Sequence, residues 1–120
     1  MMTWLRGVAV AVAIGAAACA SPSATQRTAE AEIAAMAQLK RAYPAVVMGF
    51  DLHDATTLVV SLDLQAYDGM NDDDAAAMER LAVADWERAW KEAHPGRHAR
   101  LRVRFIDFIG RKILERPAGV

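Results

Sequence analysis

The chain has 120 residues, of which 54% are apolar, with a single Cys and a formal net charge of −1. This length corresponds to one domain, and a single Cys excludes an internal disulfide framework. The near-neutral charge argues against a general nucleic-acid binder. The first question is therefore where the apolar residues lie.

The first 18 residues have the pattern of an export signal. One basic residue, Arg6, precedes twelve apolar or small residues at positions 7–18. A membrane-spanning helix needs about 20 apolar residues, whereas the apolar core of a secretory signal has about 7–15. The sequence therefore predicts a signal peptide over residues 1–18.

The end of this segment carries the most specific motif of the chain. Ala16-Ala17-Ala18-Cys19 resembles the lipobox of bacterial lipoproteins, although Ala16 stands where Leu is usual. The resemblance implies cleavage before Cys19, attachment of diacylglycerol to its thiol, and acylation of the new amine by a fatty acid such as palmitate. Ala20, in place of Asp, implies the outer membrane facing the periplasm. The alternative is ordinary signal cleavage, which would give a soluble periplasmic or secreted protein with a free thiol.

Behind Cys19 the sequence predicts a short lipidated tether over residues 19–27 and a single domain over residues 28–116. Residues 117–120 are expected to fray. Apolar side chains at three- and four-residue steps predict a first helix over residues 28–43, which Pro44 ends. Its stripe consists of Ile33, Met36, Leu39 and Tyr43.

Alternation with a period of two then predicts two strands joined as a hairpin, over residues 46–53 and 57–64. The apolar face of the first strand consists of Val46, Met48, Phe50 and Leu52. That of the second consists of Leu58, Val60, Leu62 and Leu64. A loop over residues 67–70 follows. One face of this sheet is predicted to be covered and the other open.

A second helix is predicted from the N-cap Asn71 to about Ala93, with Trp86 and Trp90 in or near the core. A third strand begins at Ala99, and its alternation slips near Phe105, which predicts a bulge or an early turn near Gly110. Residues 112–115 would form a short fourth strand. The order is α-β-β-α-β, with or without a further β. The predicted fold class is α+β, a two-layer sandwich with two helices on one face of a three- to four-stranded, mainly antiparallel sheet.

This order of elements is similar to that of the bacterial OsmY-and-nodulation (BON) domain, a small envelope module associated with phospholipid binding. The likeness covers the order of elements alone. The hairpin of that family carries a Gly where this chain has residues 53–56, and its second helix is shorter.

Two patterns suggest a metal site, and neither fits one. The acidic run over residues 68–74 has Gly69 and Met70 in the wrong positions for a calcium loop, so N-capping of the second helix is the better interpretation. His94 and His98 are four residues apart, but Pro95-Gly96 separates them, so they do not share a helical face. With His53 they are expected to be exposed loop residues, and no metal is predicted.

Catalytic patterns are scarce. The chain has no Gly-flanked Ser elbow and no phosphate-binding loop, so neither a catalytic residue nor a cofactor is predicted. Asp51 and Asp63 are expected on the open face of neighbouring strands, where paired carboxylates can act as acid and base. A small hydrolase is therefore one alternative. Cross-strand ion pairs are the simpler use of these residues.

The charge of the chain is divided between two segments. Residues 51–74 hold seven Asp and no Lys or Arg, whereas residues 97–116 hold seven basic residues and two acidic ones, a net of +5. Arg100, Arg102 and Arg104 alternate along the third strand, about 6.6 Å apart on one side. Arginine binds phosphates and carboxylates by paired hydrogen bonds, so this row predicts an anion-binding face. The alternative is pairing with Asp51 and Asp63.

The sequence thus predicts a lipid-anchored periplasmic protein whose domain binds an envelope ligand or protein partner, an anionic one if the arginine row is used, and catalyses no reaction. An accessory subunit of an outer-membrane complex is an alternative, for which an exposed apolar patch around Trp90 would be the sign.

Overall fold

The computed structural model describes residues 23–118. Helices α1 (Ala24–Ala34) and α2 (Ala37–Ala42) precede strands β1 (Val47–Leu52) and β2 (Thr57–Leu62). A short helix α3 (Leu64–Asp68) and the long helix α4 (Asp72–Ala93) follow, and strands β3 (Leu101–Ile106) and β4 (Lys112–Ala118) end the chain. The predicted α+β class and the order α-β-β-α-β-β are confirmed. The predicted signal peptide over residues 1–18, the start of the predicted tether over residues 19–22, and the predicted fraying of residues 119 and 120 lie outside the described residues.

The four strands form one sheet in the order β1-β2-β3-β4. The β1/β2 and β3/β4 pairs are antiparallel and joined by hairpins, while β2 and β3 are parallel. Parallel neighbours need a long crossover, which α3 and α4 supply here. The crossover and the first two helices bring the helical layer onto one face of the sheet.

The core lies between this helical layer and one face of the sheet. Alternate residues of the two central strands point into it, as predicted: Leu58, Val60 and Leu62 from β2, and Leu101, Val103 and Phe105 from β3. The helices contribute Met36, Leu39, Met78, Ala82, Trp86 and Trp90. The side chains between these strand positions lie on the opposite face.

The first predicted helix is two helices, and it starts earlier than expected. Ser23 caps α1: its hydroxyl accepts a hydrogen bond from the backbone N–H of Gln26 (3.1 Å), and its own N–H donates to the Gln26 side chain (2.9 Å). This reciprocal capping box starts the helix at Ala24. The last four residues of the predicted tether, 24–27, are therefore helical.

The first strand is irregular. A bulge between Val47 and Gly49 shifts its register, so Val46 and Val47 are both buried. Met48, predicted to face the core, is 51% exposed. A bulge adds one residue to a strand and reverses the side chains beyond it, which explains the error.

Two further expectations are corrected. Leu64, predicted to end the second strand, begins α3, because the carboxylate of Asp63 accepts a hydrogen bond from the N–H of Ala66 (2.9 Å) and starts a helical turn. At the other end of the chain, Pro117 and Ala118 do not fray. They belong to β4, where Ala118 pairs with Leu101 and is buried.

Candidate functional site

The arginine row lies on the face of the sheet opposite the helices. Arg102 and Arg104 point away from the core, on the side of β3 opposite Val103. Arg100 is exposed and precedes the first residue of the strand. The structure therefore places Arg102 and Arg104 on the outward side of β3, with the exposed Arg100 just before the strand.

Both strand arginines bind the same carboxylate. Arg104 Nε donates to Glu115 Oε1 at 3.0 Å, and Arg102 Nη1 donates to Glu115 Oε2 at 3.3 Å. The hydrogen bond from Arg104 lowers the pKa of Glu115 below its ordinary value, and the charge of Arg102 adds to this. One carboxylate thus serves two guanidinium groups, and the cluster keeps a net positive charge. Arg100 makes no ion pair with any residue between 23 and 118.

Asp51 and Asp63 are not the partners of this row, and the structure does not bring them together. Asp51 pairs with Val59, which lies between it and Arg104 in the register of the sheet. Asp63 lies four residues farther along the chain than Val59, or about 13 Å at the rise of an extended strand. Its carboxylate is used to cap α3. The predicted ion pairs with Asp51 and Asp63 are therefore replaced by pairs with Glu115.

The acidic run before α4 acts as a helix cap. The side chain of Asn71 accepts a hydrogen bond from the N–H of Asp74 (2.8 Å), and the exposed Asp72, Asp73 and Asp74 fill the first turn. There their negative charges interact favourably with the positive end of the helix dipole and stabilise α4.

The three histidines do not form a common site. His53 and His98 are exposed, as expected. His94, predicted to be an exposed loop residue, ends α4 with its side chain only 19% exposed, and its ring lies 4.5 Å from that of Trp90. Within residues 23–118 no group of three or more His, Cys, Asp or Glu residues is arranged to hold a metal ion.

The partner of His94 is a residue that the sequence analysis did not single out. His94 Nε2 lies 3.7 Å from Oε1 of Glu32, whose side chain is 4% exposed. The second oxygen of Glu32, Oε2, is fully buried and accepts no hydrogen bond from the described residues. Burial raises the pKa of Glu32, and the nearby His94 opposes this in part. Glu32 lies near the start of the helix predicted over residues 28–43, where acidic residues are common, so the sequence does not mark it as unusual.

Glu32 and His94 line a pocket of about 250 Å³ beneath α1. The remaining lining comes from the start of α1 and from the β1–β2 hairpin: Ala24, Thr25, Thr28, Ala29, Leu52 and Ala55. The hairpin is held against α4 by two indole N–H groups, since Trp86 donates to Thr56 O (3.1 Å) and Trp90 to Ala55 O (3.2 Å). The two tryptophans are thus core residues, and Trp90 is only 3% exposed.

A second ion pair joins α4 to β4. Arg116 Nε donates to Glu79 Oε1 at 2.9 Å, and the Tyr67 hydroxyl donates to Glu79 Oε2 at 3.4 Å. Burial raises the pKa of Tyr67, and the charge of Glu79 adds to the effect. Glu79 and Arg116 border an open groove of about 510 Å³ that runs along α4.

The turn between β3 and β4 displays two apolar side chains. Phe108 is 77% exposed and Ile109 60%. The buried carboxylate of Asp107 fixes the turn by accepting hydrogen bonds from the backbone N–H groups of Ile109 (3.1 Å) and Arg111 (2.9 Å) and from Arg111 Nε (2.8 Å). Gly110, at φ 88°, supplies the left-handed residue that the turn requires.

Comparison with known proteins does not identify the chain. No family model, curated protein or solved structure matches it. The resemblances to lipoprotein signal sequences and to the BON order of elements stay predictions. Cys19 lies outside the described residues, and none of the helices within residues 23–118 is long and apolar enough to cross a bilayer.

Proposed function

We propose that this chain is an exported, lipid-anchored protein of the outer membrane, facing the periplasm, whose domain binds an anionic envelope component without catalysing a reaction. The N-terminal pattern and Cys19 support the anchor. The arginine face supports the choice of ligand. The two parts of the proposal rest on different residues and have separate tests.

The observation that carries the binding proposal is the sharing of Glu115 by Arg102 and Arg104. A fully neutralised row would need one carboxylate for each guanidinium. Here the shared carboxylate orients two guanidinium groups, and the third, on Arg100, is exposed. The row is therefore preorganised and keeps excess positive charge on a face that the helices do not cover. Phosphate groups suit it best, because arginine binds them through two parallel hydrogen bonds.

The hydrolase alternative has less support. Its two carboxylates, Asp51 and Asp63, lie apart along the sheet, and one of them caps a helix. Acid–base catalysis requires two groups within reach of one substrate, which this arrangement does not provide.

Binding to vesicles tests the arginine face. The Cys19→Ser form of the full chain is mixed with vesicles of neutral phosphatidylcholine, or with the same vesicles containing phosphatidylglycerol. Any binding by the apolar N-terminal segment contributes to both, so the ratio of anionic to neutral binding is measured. Each basic residue near an anionic surface contributes about 1 kcal/mol. We expect replacement of all three arginines by Ser to lower the ratio by about 100-fold, and added salt to lower it for the parent protein.

The matched control removes the same charge from the helical layer, by changing the exposed Arg41, Arg80 and Lys91 to Ser. It should keep the ratio within about threefold of the parent, since charges beyond a Debye length of about 10 Å contribute little. An equal fall of the ratio in the two triple variants would show that net charge, rather than the arginine face, determines the binding. No preference of the parent for anionic vesicles would end the proposal.

Intact mass tests the anchor. Protein isolated from the membrane fraction should weigh more than the polypeptide from Cys19 onward by the mass of its acyl groups. The Cys19→Ser variant should lack that addition and leave the fraction. An unmodified Cys19 in the native protein would overturn the localisation.

A second function, accessory subunit of an outer-membrane complex, is favoured by the turn between β3 and β4. Phe108 and Ile109 are exposed on a turn whose backbone Asp107 fixes, and Arg111 and Lys112 flank them. This surface fits an apolar pocket with an acidic rim on a partner. A photo-crosslinker at position 108 should give one adduct with a subunit of such a complex, while one at exposed position 41 should not. Equal adducts from both positions would refute this role.

A further inference from the structure

The pocket beneath α1 contains an acid with an unmet hydrogen-bonding need. Glu32 is 3% exposed, and its Oε2 atom has no donor among the described residues. Near its other oxygen, Oε1, the His94 ring nitrogen Nε2 lies at 3.7 Å, which is too long for a good hydrogen bond. Burying a carboxylate with so little compensation is costly, so such a group favours a ligand that brings donors to it.

The remaining polar groups of the pocket are mainly acceptors. The Thr28 hydroxyl donates its proton to Ala24 O at 3.0 Å, which leaves only the lone pairs of its oxygen for a ligand. The hydroxyl of Thr25 can also accept. The other lining side chains are apolar and small, namely Ala24, Ala29, Leu52 and Ala55. The pocket thus combines a buried negative charge, oxygen acceptors and a short apolar wall.

We propose that this pocket is a binding site for a small primary ammonium group that carries a short alkyl chain. The ammonium offers three N–H donors, and Glu32, whose Oε2 lacks a donor, lines the pocket together with the hydroxyl-bearing Thr25 and Thr28. The alkyl chain lies against Leu52 and Ala55. A volume of about 250 Å³ holds a molecule of a few carbon atoms. The site is on the helical layer, it uses none of the three arginines, and it does not depend on the proposed binding of anions.

A titration with n-butylammonium tests the site. The full chain, purified in a non-ionic detergent and labelled with ¹⁵N, is followed by NMR. The Trp90 indole is the internal reporter, because its N–H donates to Ala55 O and its ring lies against His94. We expect saturable shifts that are largest at the Trp90 indole and at the amides of Ala29 and Ala55. Tetramethylammonium, which has the charge without N–H donors, and n-butanol, which has the chain without the charge, should bind at least about tenfold more weakly.

Two variants and one control separate binding from folding. Glu32→Gln removes the charge and should weaken n-butylammonium binding by about tenfold to 100-fold, as expected for a charged hydrogen bond. Glu30→Gln, an exposed acid on the same helix, should leave it unchanged. Ala55→Leu keeps Glu32 but narrows the pocket, and it should also abolish binding while the Trp90 to Ala55 backbone hydrogen bond is retained.

The result that would overturn the site is equally specific. Shifts that do not saturate, equal binding of n-butanol, or full binding by Glu32→Gln would each show that the buried acid has only a structural role. Each of these outcomes leaves the vesicle experiment unaffected, because that experiment uses residues on the other face of the sheet.

Discussion

Carboxylates in the β3–β4 hairpin have many hydrogen-bond partners, whereas the one at the contact between α1 and α4 has few. In the hairpin, Glu115 binds two guanidinium groups and Asp107 accepts three hydrogen bonds. Beneath α1, Glu32 is as buried as Asp107 but has one imidazole at 3.7 Å and one oxygen without a donor. The pKa is accordingly lowered at Glu115 and Asp107 and raised at Glu32.

This difference shows that burial alone does not determine the state of an acid. Asp107 and Glu32 are each 3% exposed. Burial tends to raise the pKa of Asp107 too, but hydrogen bonds from Arg111 and Ile109 and the charge of Arg111 outweigh it. At Glu32 the partners are too few, and burial prevails. The hairpin carboxylates therefore stabilise the fold as anions, and the ionised form of Glu32 opposes it.

Asp107→Ala should have the largest effect on stability. It removes the charged acceptor of the partly buried hydrogen bonds from the N–H groups of Ile109 and Arg111 and releases the turn. Hydrogen bonds to a charged group are among the stronger ones, so the Tm should fall by about 10 °C in a domain of this size. Thermal unfolding followed by circular dichroism measures it. Asp107→Asn keeps an oxygen acceptor and should lose less than half as much. An Ala variant with the Tm of the parent would show that the turn does not depend on this side chain.

Glu32→Met should have the opposite sign. Met fills a similar volume, favours helix, and removes the buried charge. Replacement of a buried, poorly paired charge by an apolar side chain should stabilise the domain by about 1 kcal/mol at neutral pH. Urea unfolding checks the value, with Glu30→Met on the exposed side of α1 as control. Destabilisation by Glu32→Met would show that the contact with His94 outweighs the cost of burial.

The pH dependence of stability separates the two regions further. The pKa of Glu32 is raised in the folded state above the ordinary value of 4.5. As the pH rises, this carboxyl group therefore ionises in the unfolded chain before it ionises in the folded one. The contribution of Glu32 therefore decreases as the pH rises from 4.5 through the raised value. Glu115, with a lowered pKa, contributes fully above 4.5 and loses its contribution as the pH falls through the lowered value.

Urea unfolding between pH 3 and 7 tests these signs. The advantage of Glu32→Met over the parent should be near zero below about pH 4, where Glu32 is protonated in both states, and should grow toward neutral pH. In Glu115→Gln the difference from the parent should have the opposite sign, a loss of stability that is largest near neutral pH and disappears in acid. An advantage of Glu32→Met that is independent of pH would mean that packing, not charge, is responsible.

How much of this was accessible from the sequence depends on whether a feature is local. Alternation in β3 located the buried Val103 and the outward arginines, because a period of two is a property of one strand. The bulge that exposes Met48 depends on the register between two strands, and the capping box at Ser23 lies in a segment without an apolar period, so periodicity does not predict a helix there.

The site residues divide in the same way. The sequence predicts the arginine row but not its partner Glu115. This pairing depends on β4 lying next to β3, and the sequence does not establish that a fourth strand forms. The contact between Glu32 and His94 joins residues 62 positions apart, and no local pattern relates one to the other. Tertiary packing, rather than periodicity, brings them together.

Glu115→Gln should have the smallest effect on stability and the clearest effect on the proposed ligand. The side chain of Arg102 is 62% exposed, and exposed ion pairs contribute little, so the Tm should fall by no more than about 4 °C. Removal of the shared carboxylate raises the charge of the arginine face by one, and the anionic-to-neutral vesicle ratio should rise by about fivefold. Glu30→Gln makes the same change in net charge on α1 and should leave the ratio unaltered. If Glu115→Gln instead lowers the ratio, the carboxylate matters more for orienting the two arginines than as their competitor for the ligand, and the face would then require both its charge and its internal ion pairs.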